Sequence, residues 1–189
     1  SATAQVSFRN FYNLEDTFDG GVLEVSSPNI NAGAFTDITN AAVGGNFVSG
    51  GYTDTISTSF QSPIAGRMAW SGNAGGFQTT LANLGANVAG QTITLRFRMA
   101  SDNSVSSTGW RVDTIRVTDG ACPSATPTAT ATATATATVT ATATATATAG
   151  GTVSPTPTCA PLSQGFDDIT VLNGLGWVQT NHSTVVGTT

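Results

Sequence analysis

The feature that most constrains this chain is a run of alternating Thr and Ala at residues 126–158, bracketed by Thr-Pro pairs. The alternation is strict over residues 128–149 apart from Val139. No side chain in this run is large enough to build a hydrophobic core, so a core has to come from the flanking residues. The sequence therefore predicts a folded block at 1–120, a low-complexity segment at 121–160 and a short further block at 161–189.

Three interpretations of the Thr/Ala segment stay open. It can be an extended linker or an O-glycosylated stalk, since Thr with Pro is the composition of such stalks. It can be a strand that pairs with a sheet edge or with copies of itself, or a flat Thr ladder that orders water. We expect the linker or stalk. Its candidate glycosylation sites are Thr128, Thr130, Thr132, Thr134, Thr136, Thr138, Thr140, Thr142, Thr144, Thr146 and Thr148.

Charge excludes several classes of partner. Charged residues make up 9% of the chain, there is no Lys, and the net charge is −5. With a pI near 4.4, nucleic acid and anionic membranes are not expected partners. No stretch of the sequence reaches the roughly 20 apolar residues of a membrane span, so membrane insertion is not expected either.

Two cysteines, Cys122 and Cys159, stand at the two ends of the low-complexity segment. A disulfide between them would close a loop of about 38 residues and stabilise the protein by roughly 3–4 kcal/mol through chain entropy. The alternative is that each cysteine pairs elsewhere or stays free. Both interpretations stay open.

Residues 1–120 have the pattern of a β-protein. Period-two alternation predicts strands, and Asp19-Gly20-Gly21 predicts the turn of a hairpin. Residues 27–75 are rich in Gly, Asn and Ser with isolated aromatics, which is typical of loops folded over a sheet. No segment is convincing as a helix, so we expect an all-β antiparallel sandwich. The predicted strands are Gln5–Tyr12, Val22–Ser26, Gly76–Leu84, Gln91–Met99 and Trp110–Val117.

Several motifs occur in the order found in one family of domains. The chain resembles the later half of bacterial extracellular MAM-like or choice-of-anchor (cleaved-adhesin-like) jelly rolls, which are appended to secreted peptidases and adhesins. Residues 164–181 are similar to the opening of such a domain, whereas the opening strands are absent before Ser1. The motifs that carry the resemblance are Phe18–Ser26, Gly50–Tyr52, Gly66–Gly72, Leu95–Arg98 and Gly109–Ile115.

The resemblance implies a sandwich that lacks its first strands and therefore exposes a sheet edge. Residues 161–189 look like the opening strands of a further sandwich, and they could add to the sheet of a neighbouring chain. Repeated head to tail, such strand donation would build a filament. The alternative is an arbitrary fragment boundary.

The resemblance also implies a structural calcium ion. In the resembling jelly rolls a carboxylate near the opening strand and one on the closing strand can hold calcium, which prefers hard oxygen ligands. The matching positions are Asp113 with Asp167 or Asp168. The alternative for Asp113 is a salt bridge with a nearby Arg. No other cofactor is expected.

Catalysis is not expected. His182 is the only histidine and lies beyond the Thr/Ala segment, and no nucleophile motif is present. Acids cluster around the predicted first hairpin, where they are usually solvated turn formers. They are Glu15, Asp16, Asp19 and Glu24.

The sequence thus predicts a non-catalytic structural or adhesive module, displayed on or secreted from a bacterial cell and associating with itself, with surface proteins or with glycans. The alternative is a carbohydrate- or protein-binding accessory domain of a secreted hydrolase. For the latter, exposed rings of Tyr52, Trp70 and Trp110 could form a sugar-stacking face, although Trp in a sandwich more often lies in the core.

Overall fold

A computed structural model of the protein describes residues 4–118, 162–167, 169–178 and 180. All of them belong to one compact unit, which contains chain from both sides of the Thr/Ala segment. The sites predicted at Asp168, at His182, at both cysteines and along the Thr/Ala segment lie outside the described residues.

Ten strands form this unit, and every pairing between them is antiparallel. They are β1 Gln5–Asn13, β2 Gly20–Ser26, β3 Thr36–Asp37, β4 Asn46–Ser49, β5 Asp54–Thr55, β6 Met68–Ala69, β7 Gln78–Asn83, β8 Thr94–Ala100, β9 Gly109–Thr118 and β10 Leu162–Gln164. Sheet A has the order β10-β9-β1-β7-β4, sheet B has the order β3-β2-β8, and β5 pairs with β6. The helical segments of the described chain are 3-10 turns at Asn31–Gly33, Ala86–Val88 and Ile169–Leu175.

The two sheets pack face to face around one main core, which confirms the predicted all-β sandwich. Alternation on β1 points Val6 and Phe8 inward, and both are buried against Leu23 and Val25 of β2. The Phe8 ring meets the Phe97 ring of β8 edge to face with centroids 5.0 Å apart. This contact joins the sheets through the aromatic geometry that ring quadrupoles favour.

The predicted first hairpin is wrong, although both of its strands exist. β1 pairs with β7 and β9 in sheet A, whereas β2 pairs with β3 and β8 in sheet B. The glycines of the predicted turn are needed for close packing instead. A Cβ on Gly20 would lie 2.6 Å from Ala69 Cβ, and one on Gly21 would lie 2.8 Å from the Trp110 ring. Such distances leave no room for a side chain.

The later strands are confirmed close to their predicted bounds, as β7, β8 and β9. The region predicted as loops contains four short strands, β3 to β6. Its aromatics divide between two environments: Trp70 is completely buried in the main core, whereas Phe60 is 58% exposed.

The C-terminal segment adds to the same sandwich. Leu162 to Gln164 pair with Val117 to Ile115 at the edge of β9. Beyond this strand Leu172 is buried, and Phe166 and Trp177 pack against the main core. Within this chain, the segment predicted to open a further sandwich thus supplies an edge strand and core side chains to residues 4–118. Its donation to a neighbouring chain stays a prediction.

Candidate functional site

Three acidic side chains from separate segments meet at one end of the sandwich. Glu15 and Asp19 lie in the connection between β1 and β2, where the Asp19 backbone N–H donates to the Glu15 carbonyl at 3.0 Å. Asp102 follows β8, and the register that pairs Gly20 with Ala100 brings it alongside. One carboxylate oxygen from each residue lies within 4.8 Å of the others. We call these three residues the acidic cluster.

Asp19 of the acidic cluster is buried, Glu15 and Asp102 are half-buried, and none of the three forms an ion pair with a described residue. Asp19 is only 2% exposed, and its Oδ1 accepts the Asp102 backbone N–H at 3.2 Å. Glu15 Oε2 is enclosed and has no hydrogen-bond partner among the described residues. Burial raises the pKa of Glu15, and the charges of Asp102 and Asp19 raise it further. Burial is also the main cause that raises the pKa of Asp19.

This arrangement suits a hard cation better than acid–base catalysis. Carboxylate oxygens are the ligands that calcium prefers, and a cation would give Glu15 Oε2 the partner it otherwise lacks. A glycosidase, in contrast, needs both carboxylates to reach a sugar. Asp19 is too deeply buried for that role. The acidic cluster is therefore the candidate cation site of the described residues.

A second buried carboxylate, Glu24 of β2, lies within a group of arginines. Its Oε1 lies 2.7 Å from Arg67 Nη1, and its Oε2 lies 2.6 Å from Arg96 Nη2. Arg98 is more distant, at 4.0 Å. Arg67 also holds Asp37 through Nη2 and Oδ2 at 2.8 Å. Arg96 pairs with Glu24 across the strands, because the two residues face each other in the register of β2 and β8.

A cleft of about 490 Å³ lies beside this ion-pair network, lined in part by Phe35, Asp37 and Arg67. Asp37 has no free oxygen to offer a substrate. Its Oδ2 accepts from Arg67 and from the Tyr52 hydroxyl at 2.9 Å, and its Oδ1 accepts from Thr39. Burial, and then the charge of Asp37, raise the pKa of Tyr52. Burial alone would lower the pKa of Arg67, but its hydrogen bonds to Asp37 and Glu24 outweigh that effect.

Of the predicted calcium ligands, Asp113 lies on β9 and Asp167 follows β10. Asp113 lies on β9 opposite Arg9, and its Oδ1 accepts the Thr114 N–H at 2.6 Å. It forms no ion pair with a described residue, so the predicted salt bridge is wrong within that range. Neither Asp113 nor Asp167 belongs to a group of three described acids close enough to share a cation. With Asp168 outside the described residues, the resemblance-based site stays a prediction.

The rings considered for a sugar-stacking face belong to the core. Trp70 is fully buried and its Nε1 donates to the Gly50 carbonyl at 2.9 Å. Trp110 packs on the same core, and its Nε1 donates to Asn10 Oδ1 at 2.7 Å. Tyr52 packs edge to face against Trp70 with centroids 4.8 Å apart. An exposed platform made of these three rings is therefore ruled out by their burial.

The geometry alone defines the class of protein, an antiparallel β-sandwich with an acidic cluster at one end. Comparisons with protein-family models, curated proteins and solved structures find no match to this chain. No helix in the described part of the chain is long and apolar enough to cross a membrane.

Proposed function

We propose that this chain is a non-catalytic structural module of a bacterial cell surface, which joins other copies head to tail by strand donation. One observation carries the proposal. β10 lies 43 residues beyond the end of β9 in sequence, and yet it forms the edge of sheet A beside β9. In the proposed assembly, β10 of one chain occupies this same edge on the next chain.

The contacts available to β10 are the same in both arrangements. The ladder is only three residues long, so most of its free energy has to come from the side chains that follow it. Leu172 is buried, and Phe166 and Trp177 contact the core and each other, with ring centroids 5.2 Å apart. Burying one side chain such as Leu contributes about 1.5–3 kcal/mol. A neighbouring chain would gain the same stabilisation.

The balance between the two arrangements then depends on the intervening segment. A flexible linker of this length holds its end at an effective concentration of roughly millimolar. The sequence predicts such a linker, so we expect a closed monomer in dilute solution. Exchange becomes favourable where chains are crowded above that concentration, as on a cell surface.

The environment of the carboxylates supports a non-catalytic role. Asp19 is buried, and Glu24 and Asp37 are held by arginines at 2.6 to 2.8 Å. A general base has to reach the proton it abstracts. These three carboxylates are therefore held by burial or by ion pairs within the described residues and are not free to act as general bases.

The test is a mixed disulfide between two single-cysteine chains, both with Cys122 and Cys159 replaced by Ser. One chain carries Leu162→Cys and the other carries Val117→Cys, because these two residues face each other in the register. The mixture is refolded from urea at millimolar concentration and oxidised. We expect a disulfide-linked heterodimer on a non-reducing gel.

Two controls give the experiment its meaning. A single chain carrying both cysteines should close internally, which verifies the register of β10 on β9. Val48→Cys, 54% exposed on the opposite edge strand β4, replaces Val117→Cys to measure random collisions. Strand donation is excluded if the heterodimer is no more abundant than with Val48→Cys, or if the double variant fails to close.

A further inference from the structure

A row of two adjacent phenylalanine rings with an arginine at each end crosses the outer face of sheet A. Arg111 lies over the Phe11 ring at 5.2 Å, the Phe11 and Phe77 centroids are 5.5 Å apart, and Arg9 lies 5.9 Å from the Phe77 centroid. The row therefore runs Arg111, Phe11, Phe77, Arg9. It spans β9, β1 and the residue just before β7.

The strand pattern and local hydrogen bonds hold this row in place. Alternation on β1 turns Arg9 and Phe11 away from the core, and the register sets Arg111 opposite Phe11. Arg9 donates to Thr79 Oγ1 at 3.1 Å and to the Phe77 carbonyl at 3.0 Å. The guanidinium is thus fixed before any ligand arrives, which lowers the entropy lost on binding. Phe77 remains 42% exposed.

The charge of this face is opposite to that of the chain. Of the six arginines, Arg67, Arg96 and Arg98 lie near Glu24, whereas Arg9, Arg111 and Arg116 form no ion pair with any described residue. The strands of sheet A carry one acid, Asp113. Three arginines against one acid give this face a charge of +2, on a chain whose net charge is −5.

A second polar row lies further along the same face. Gln5 Nε2 donates to Asn83 Oδ1 at 2.8 Å, and Asn83 Nδ2 donates to Asn46 Oδ1 at 3.3 Å. Each of these amides keeps hydrogen-bonding capacity beyond the bond it makes within the row. The face therefore combines fixed guanidinium groups, exposed aromatic surface and amides, all on one sheet.

We propose that the outer face of sheet A binds a polysaccharide that carries widely spaced carboxylates. Guanidinium groups pair with carboxylates through two parallel hydrogen bonds, the Phe rings offer apolar surface to sugar C–H groups, and the amides suit hydroxyls. A densely charged polymer would be repelled by the acidic remainder of the molecule. A polymer with one carboxylate on every second sugar has the low charge density that this face requires. This inference does not depend on strand donation.

The probe is hyaluronan, whose repeat alternates a uronate with an uncharged amido sugar, titrated into the full chain by calorimetry at low salt. Arg111→Gln should weaken binding about tenfold, the scale of one charge-assisted hydrogen bond. Phe77→Ser should weaken it by about threefold to tenfold through lost ring contact. Arg98→Gln makes the same charge change on sheet B and should leave affinity unchanged. Uncharged dextran should not bind.

The possible outcomes separate specific binding from general charge attraction. The proposal is overturned if Arg98→Gln weakens binding as much as Arg111→Gln does, since only net charge would then matter. It is also overturned if dextran sulfate binds as tightly as hyaluronan with no effect of Phe77→Ser. If hyaluronan does not bind and Arg111→Gln instead reduces self-association in light scattering, the face contacts a second copy and not a glycan. Melting curves confirm that each variant is folded.

Discussion

Two carboxylates in this sandwich are almost completely buried, and their surroundings are opposite. Glu24 is 1% exposed and has Arg67 and Arg96 within 2.7 Å. Asp19 is 2% exposed and has Glu15 and Asp102 as its charged neighbours. They are separated by five positions in sequence: Asp19 immediately precedes β2, and Glu24 lies within it.

The difference shows how a fold can compensate a buried charge in two ways. A buried carboxylate without a partner is expensive, so it needs a counter-charge or a proton. Strands β2 and β8 supply the counter-charge to Glu24 from within the chain, because their register sets Arg96 opposite it. Asp19 lies beyond the end of that ladder, where the neighbouring side chains are acidic. It depends on a proton or on a cation from solution.

The largest predicted effect comes from removing the counter-charges of Glu24. The double substitution Arg67→Met and Arg96→Met leaves the buried Glu24 with only the more distant Arg98, at 4.0 Å, which we expect to lower the free energy of unfolding by about 3–5 kcal/mol. Urea unfolding measured at neutral pH gives this value directly. Methionine keeps much of the apolar length of each side chain, so the loss reports mainly on charge.

A third substitution shows whether charge is the cause. Adding Glu24→Gln to the double variant removes the stranded charge and should restore a large part of the lost stability. Both arginine side chains are at least 30% exposed in the structure, so Glu24→Gln alone should cost much less, since water can solvate them. If the triple variant is no more stable than the double variant, the loss is one of packing and the contrast with Asp19 has no electrostatic basis.

The second prediction concerns calcium at the acidic cluster. Excess calcium should raise the free energy of unfolding relative to EDTA, by about 2.7 kcal/mol when free calcium is a hundredfold above its dissociation constant. Asp102→Asn should abolish most of this increment. Asp16→Asn, a neighbour outside the acidic cluster, is the matched control and should retain it. Identical unfolding curves in calcium and EDTA would show that the acidic cluster binds no calcium.

Local pattern predicted the strands but not the sheet that each strand joins. Alternation in the sequence located β1, β8 and β9, and on β1 it matches a strict alternation of buried and more exposed residues. β2 is buried on both faces, and its Gly-Gly start resembles a turn signal. Only the packed partners, Ala69 and the Trp110 ring, explain those glycines. Such contacts come from residues about 50 to 90 positions away.

The sequence predicted only part of the acidic cluster, because local pattern does not show which strands pair. Glu15 and Asp19 are close in the chain, so their proximity was predicted, whereas Asp102 is brought in by the pairing of β2 with β8. The pattern of Gln91–Met99 predicted the strand that leads to Asp102. The strand it pairs with, β2, was predicted to form a hairpin with β1 instead. The expected solvated turn is wrong for Asp19, which is buried, and Glu24 belongs to the arginine network and not to the cluster.

The smallest predicted effect is the pH dependence of the acidic cluster in EDTA. Burial and the neighbouring carboxylates raise the pKa of Glu15 and Asp19 in the folded state above the ordinary values of 4.5 and 3.8. The folded state therefore binds their protons more tightly than the unfolded state does. This contribution to stability is fully present below those ordinary values and is lost as pH rises through the raised pKa values.

Asp102→Asn tests this effect, because Asn keeps an Oδ1 that can accept the Ser104 N–H at 2.9 Å. It replaces the oxygen that accepts from the Ser104 hydroxyl at 3.1 Å with an uncharged amide group. In EDTA at pH 7 the variant should be more stable than the native chain by less than about 1 kcal/mol, the scale of partly solvated charge pairs. The difference should shrink as the pH falls through the raised pKa values of Glu15 and Asp19, because their protonated forms are no longer repelled by the charge of Asp102. In excess calcium its sign should reverse at pH 7. A variant that is less stable than the native chain in EDTA at pH 7 would mean that the charge of Asp102 does not destabilise the acidic cluster.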